Sequence, residues 1–128
     1  MKKPNAIVEK SFHFAAEIVD LNVLIVRKNQ FDVARQSLRS GTSVGANVRE
    51  AQRAESDADF IHKLSIALKE AEETAYWLDL VDLKIVPVDV ELKNRLNELI
   101  RILVSIITST KQRVNRSKGR KMYGYATR

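Results

Sequence analysis

The side chains best suited to acid–base or metal chemistry are the carboxylates Glu70, Glu72 and Glu73 and the imidazoles His13 and His62. A carboxylate-bridged metal pair inside a helical bundle needs Glu-x-x-His motifs on facing helices. Neither histidine follows a glutamate by three residues, and there is no cysteine to supply a thiolate. Ser37, Ser40, Thr42 and Ser43 offer hydroxyls, but no His or Lys is placed nearby in sequence to activate one. Gly41-Thr42-Ser43-Val44-Gly45 is not a phosphate loop, because it lacks both the Gly-Lys-Ser/Thr ending and a preceding strand. The sequence therefore predicts a protein that is not an enzyme and that holds no metal and no cofactor.

Charge is the stronger signal. The chain has 128 residues and a net charge of +6, unevenly spread. Residues 57–92 carry −6 and residues 93–128 carry +9. The basic side chains Lys111, Arg113, Arg116, Lys118, Arg120 and Lys121, with Lys93, Arg95 and Arg101 upstream and Arg128 at the end, are suited to phosphate contact, and Tyr123 and Tyr125 to stacking on unpaired bases. The expected partner is nucleic acid, RNA or DNA. No stretch approaches the roughly 18 apolar residues of a membrane span. The absence of cysteine fits a reducing cytoplasm.

The elements that must position these groups are helices. Ile7, Phe14, Ile18, Leu21 and Ile25 recur on one helical face, which predicts a helix from about Asn5 to Val26. A second helix runs from about Phe31 to Ala54, continuous through Gly41 and Gly45 because a spacing of four keeps both glycines on one face. Ser56 caps a third, with Asp57 and Asp59 in its first turn. Phe60, Leu64, Ala67, Ala71, Thr74, Leu78 and Val81 form its core row, and Pro87 marks its end. Asp89 caps a fourth, whose row Leu92, Leu96, Leu99, Leu103, Ile106 and Thr110 is broadened by Ile100, Ile102, Val104 and Ile107. That breadth exceeds what one bundle buries and calls for contact with another subunit. The reading is an all-α, antiparallel up-down-up-down four-helix bundle over residues 1–115 that assembles into a homo-oligomer. Residues 116–128 form a basic, disordered tail.

Two segments carry specific motifs: Leu38-Arg39-Ser40-Gly41-Thr42-Ser43-Val44-Gly45-Ala46-Asn47-Val48-Arg49-Glu50-Ala51, and Ile66-Ala67-Leu68-Lys69-Glu70-Ala71-Glu72-Glu73-Thr74-Ala75-Tyr76-Trp77-Leu78, preceded by Asp59-Phe60-Ile61. Together they resemble the 23S rRNA intervening-sequence proteins, also called S23 ribosomal protein-like. The resemblance implies a four-helix bundle with no established catalytic residue. It extends to the accessory variability determinant of diversity-generating retroelements, which implies a ring-like homopentamer that binds nucleic acid and a reverse transcriptase. Arg39, Asn47, Arg49, Glu50, Glu70 and Glu73 are the family-type polar positions. Beside Gly41, Gly45 and Ala46 they are read as a hydrogen-bonded network fixing the second helix against the third. Tyr76 and Trp77 are read as core or interface.

Overall fold

The computed structural model describes residues 5–124, with side chains through Arg120. Four helices follow in order: α1 (Ala6–Arg27), α2 (Phe31–Ala51), α3 (Asp57–Lys84) and α4 (Val90–Gly124). Each packs on the next and α4 closes back on α1, giving the antiparallel up-down-up-down bundle. The core is continuous. Phe14, Ile18, Ile25, Leu64, Leu78, Leu96, Leu99 and Leu103 are its largest fully buried apolar side chains. Each of these lies on the row its spacing defined, because a helix that is apolar on one stripe must bury that stripe against its neighbours.

The connections are short and locally determined. The α1–α2 turn has the Schellman pattern: Gln30 N–H reaches the Ile25 carbonyl at 3.4 Å and Asn29 N–H reaches Val26 at 2.9 Å. Asn29 takes the left-handed conformation this needs, at φ 59°, and asparagine is the non-glycine residue that tolerates it best. Ser56 Oγ accepts the Asp59 N–H at 3.0 Å, as an N-cap should. The reciprocal bond goes from the Glu55 N–H, not that of Ser56, to Asp59 Oδ2. Between α3 and α4, Asp82 accepts the Val88 N–H at 2.8 Å and the Lys93 ammonium at 2.9 Å. Asp89 then caps α4 by accepting the Glu91 N–H at 3.0 Å.

The glycines of α2 face α1, not α3. A Cβ at Gly41 would come within 2.8 Å of Ile18 Cγ1 and Cγ2, and one at Gly45 within 3.2 Å of the Ser11 carbonyl oxygen. Arg39 and Gly41 are two residues apart, about 200° around a helix, so they cannot address the same neighbour. The close approach therefore belongs to α1–α2, where Asn22 Nδ2 also donates to the Ala34 carbonyl at 2.6 Å.

α4 is longer than its partners. At 1.5 Å per residue its 35 residues span about 52 Å against about 42 Å for the 28 of α3. Its helix passes through residues 116–124, which composition alone assigned to a disordered tail. Arg and Lys are good helix formers, no proline follows Pro87, and extending an existing helix costs far less than starting one. Arg113 pairs with Asp57 at the first turn of α3, so the chain beyond it outreaches that helix. A Cβ at Gly119 would meet nothing within 4 Å.

Gly41→Leu and Gly45→Leu are expected to lower stability by about 1–3 kcal/mol each or more through overpacking. Gly119→Ala, where space is open, is expected to leave the denaturation midpoint unchanged or raise it slightly. Chemical denaturation of the three variants checks this; wild-type stability in both leucine variants would contradict the close approach.

Candidate nucleic-acid interface

The family-type polar residues converge only in part. Arg39 Nη1 donates to Glu70 Oε2 at 3.1 Å, and its other terminal nitrogen donates to Glu73. The Trp77 indole N–H donates to the same Glu73 oxygen at 3.0 Å. Beneath them Thr74 Oγ1 bonds Ser40 Oγ at 2.9 Å, with both side chains buried. These contacts fix α2 against α3. The Trp77 hydrogen bond, with help from the Arg39 guanidinium, holds the Glu73 carboxyl below the usual carboxylate range. The Glu73 hydrogen bond raises Arg39 further above its ordinary value.

The other polar positions lie elsewhere. Asn47 donates to the Ser43 carbonyl of its own helix at 2.9 Å. Glu50 pairs with Lys63 at 3.7 Å. Arg49 faces α1, with its guanidinium carbon 4.9 Å from the centroid of the Phe12 ring. Phe12, Ala15, Thr42, Gly45, Ala46 and Arg49 line a shallow groove between α1 and α2. Trp77 is half-buried, while Tyr76 is 61% exposed and packs edge-on against it. Among the described residues no cluster of three His, Asp or Glu side chains has metal-binding geometry.

Two of the upstream cations of the basic segment, Lys93 and Arg95, are already engaged, while Arg101 is exposed and has no carboxylate within 4.0 Å among the described residues. Lys93 lies between Asp79 and Asp82, Arg95 forks onto Glu17, and Lys10 of α1 pairs with Glu98. Arg113 holds Asp57 through two hydrogen bonds, at 2.9 and 3.3 Å. Exposed ion pairs of this kind add little to stability, but they cancel local charge. Lys111, Arg116, Lys118 and Arg120 differ: all four are exposed, and among the described residues none has a carboxylate within 4.0 Å. The last acidic residue of the chain is Glu98. The positive surface is thus narrower than the segment 93–128 suggested, and is concentrated at the far end of α4. Lys121 and Tyr123 fall on its last helical turn, with side chains beyond those described, and Tyr125 and Arg128 lie outside the described residues.

A feature not anticipated from the sequence is a stripe on the outer side of α1. Phe12, Val19, Val23 and Val26 are each at least 40% exposed, with Phe31 at the start of α2 exposed as well. The steps of seven, four and three were present as a second row beside the core row, and could have revealed it.

Glu73 sets a pH dependence. Its folded-state pKa is depressed, so its contribution is present above the unfolded-state value and is lost as pH falls through the folded one. Glu73→Gln is expected to flatten the acid limb of the stability–pH curve and to lower stability at pH 7. Acid titrations followed by circular dichroism compare the two; identical acid limbs would show that the Arg39–Glu73–Trp77 contacts contribute nothing.

Comparison with known proteins agrees with this architecture. No curated protein matches the chain. A crystal structure from Bacteroides thetaiotaomicron, described as a protein with unknown function from the S23 ribosomal protein family, is 45% identical and superposes with a TM-score of 0.74. The match covers 97% of that chain and 79% of this one. The family model for the 23S rRNA-intervening sequence protein matches residues 3–105, and the chain belongs to that family.

Proposed function

We propose that this is a non-enzymatic, homo-oligomeric nucleic-acid-binding protein of the 23S rRNA intervening-sequence type, acting in the cytoplasm and holding RNA mainly through its phosphates. The observation that carries the reading is the unopposed cation cluster at the end of α4: Lys111, Arg116, Lys118 and Arg120, exposed and beyond the reach of the carboxylates that neutralise Lys93, Arg95 and Arg113. Phosphate contacts of this kind are strong at low salt and carry little sequence information. Repeating the patch in every copy of an oligomer would multiply the field and the avidity.

The exposed α1 stripe supports the oligomer. Phe12, Val19, Val23 and Val26 give the bundle an apolar face outside its core, the kind of surface that subunits cover. A ring of five copies is the proposed state. The same stripe favours a second reading, in which the protein is a scaffold or accessory factor that docks on another protein such as a reverse transcriptase.

Deleting residues 116–128 is expected to leave the bundle folded and to weaken binding to a structured RNA at least tenfold in low salt. The slope of log affinity against log salt should fall by about 3.5–4.5 if each of the five cations removed makes one phosphate contact. Val19→Asp with Val23→Asp is expected to reduce the mass measured by light scattering. Unchanged affinity after truncation would refute the phosphate mechanism, and a monomeric wild-type chain would refute the oligomer.

A further inference from the structure

The exposed end of α4 has an internal order that a general basic patch does not need. On a helix turning about 100° per residue, Lys111 and Lys118 fall about 20° apart on one flank. Arg116 and Arg120 fall about 40° apart on the other, roughly 170° away from the lysines. Thr108, Gln112, Asn115 and Gly119 follow one another at steps of four, three and four, and their row lies between the two flanks. The opposite side of the helix is the one that meets the bundle: Ile107 and Thr110 are buried there and Val114 is partly buried. Thr108, Gln112 and Asn115 are exposed, and Gly119 has open space around it.

We infer that the end of α4 is a groove-entering helix, and that its ligand is a nucleic-acid groove with two phosphate walls wide enough to admit an α-helix. This rests on the nucleic-acid reading above and narrows it. The two flanks are placed to meet phosphates on opposite walls at once. The row between them then faces the floor. Gln112 and Asn115 present amides, the side chains that both donate to and accept from base edges. Gly119 adds no side chain at the point where the helix backbone comes nearest the bases.

The width of the helix decides which nucleic acids fit. With side chains an α-helix is about 10–12 Å across, and the major groove of B-form DNA is about 12 Å wide. The major groove of uninterrupted A-form RNA is too narrow for side chains to read, so an RNA ligand must be opened by a bulge or an internal loop. A single strand supplies only one phosphate wall. The mode that captures single strands stacks bases on aromatic rings; Tyr123 and Tyr125 follow the two flanks in sequence, and no aromatic residue lies between or among the flanks from Thr108 to Arg120.

The test uses the full-length protein and four probes of equal length in fluorescence anisotropy: a B-form DNA duplex, an RNA hairpin with a bulge, an uninterrupted RNA duplex, and a single strand. At least one of the first two is expected to bind about tenfold or more tightly than either of the last two; which of them does so identifies the source of the groove. Gln112→Ala with Asn115→Ala is expected to weaken the preferred probe about tenfold while leaving the salt slope unchanged. Lys111→Gln with Lys118→Gln, and separately Arg116→Gln with Arg120→Gln, should each lower that slope by about 2. All these side chains are exposed, and circular dichroism checks that each variant folds. A single strand or an uninterrupted RNA duplex that binds as tightly as the best groove probe overturns the inference. So does an amide variant with wild-type affinity, or a loss of slope confined to one flank. Binding of none of the four probes would remove the nucleic-acid reading itself.

Discussion

The supply of carboxylates governs where the positive charge of this protein is felt. Down to Arg113, the cations of α4 that face another helix find acidic partners: Asp79 and Asp82 for Lys93, Glu17 for Arg95, Asp57 for Arg113. These pairs are exposed and individually weak. Their collective effect is to cancel charge locally where α4 meets its neighbours. After Glu98 the chain contains no acid at all, and after Arg113 α4 has also passed the first turn of α3. Two independent facts, one of composition and one of length, therefore coincide at the same place.

The bundle that carries this end is fixed by two different kinds of contact on the two sides of α2. Towards α1 the contact is steric: Gly41 lies against Ile18 and Gly45 against the Ser11 carbonyl, and the helices approach more closely than any side chain would allow. Towards α3 it is polar, with Arg39 bridging Glu70 and Glu73 while Trp77 shares the second carboxylate. Steric contact sets distance, and a directional network sets register. An interior of Leu, Ile and Val alone tolerates several registers, so the Arg39 contacts have a specific task even where they add little net stability.

Much of this was legible in the sequence. Periodic apolar rows such as Ile7–Ile25 and Leu64–Val81 report burial directly, because the period of the pattern is the period of the helix. Ser56 and Asp89 mark helix starts because their side chains have one good use there. The assignment of glycine faces was less secure, since Gly41 and Arg39 sit in one motif yet point to different neighbours. A motif is linear, and a helix turns through slightly more than half a circle between them. The end of α4 was misread for a different reason. Absence of an apolar stripe predicts absence of burial, which is true there: Arg116, Lys118 and Arg120 are exposed. It does not predict absence of helix, because a helix already nucleated over residues 90–113 propagates cheaply into good helix formers. The ion pairs of Lys93 and Arg95 were invisible for a third reason, since partners such as Glu17 and Arg95 lie far apart in the chain.

The boundary of the shared family module sharpens the functional question. The family match ends at residue 105, and the Bacteroides protein, aligned over nearly its whole length, leaves about a fifth of this chain uncovered. Lys111, Arg116, Lys118 and Arg120 lie past that boundary, whereas Arg39, Glu70, Glu73 and Trp77 lie within it. The contacts that hold the bundle together therefore lie within the matched residues, and the helical end that is basic on both flanks lies beyond them. A helix extended out of a folded domain needs no core of its own, since each added residue brings one more backbone hydrogen bond to a nucleus already formed. Arg116 and Arg120, one turn apart, repel one another along the helix, and a polyanion beside the projection would relieve that repulsion. On the proposed reading, binding energy and helix stability would then rise together in the same segment.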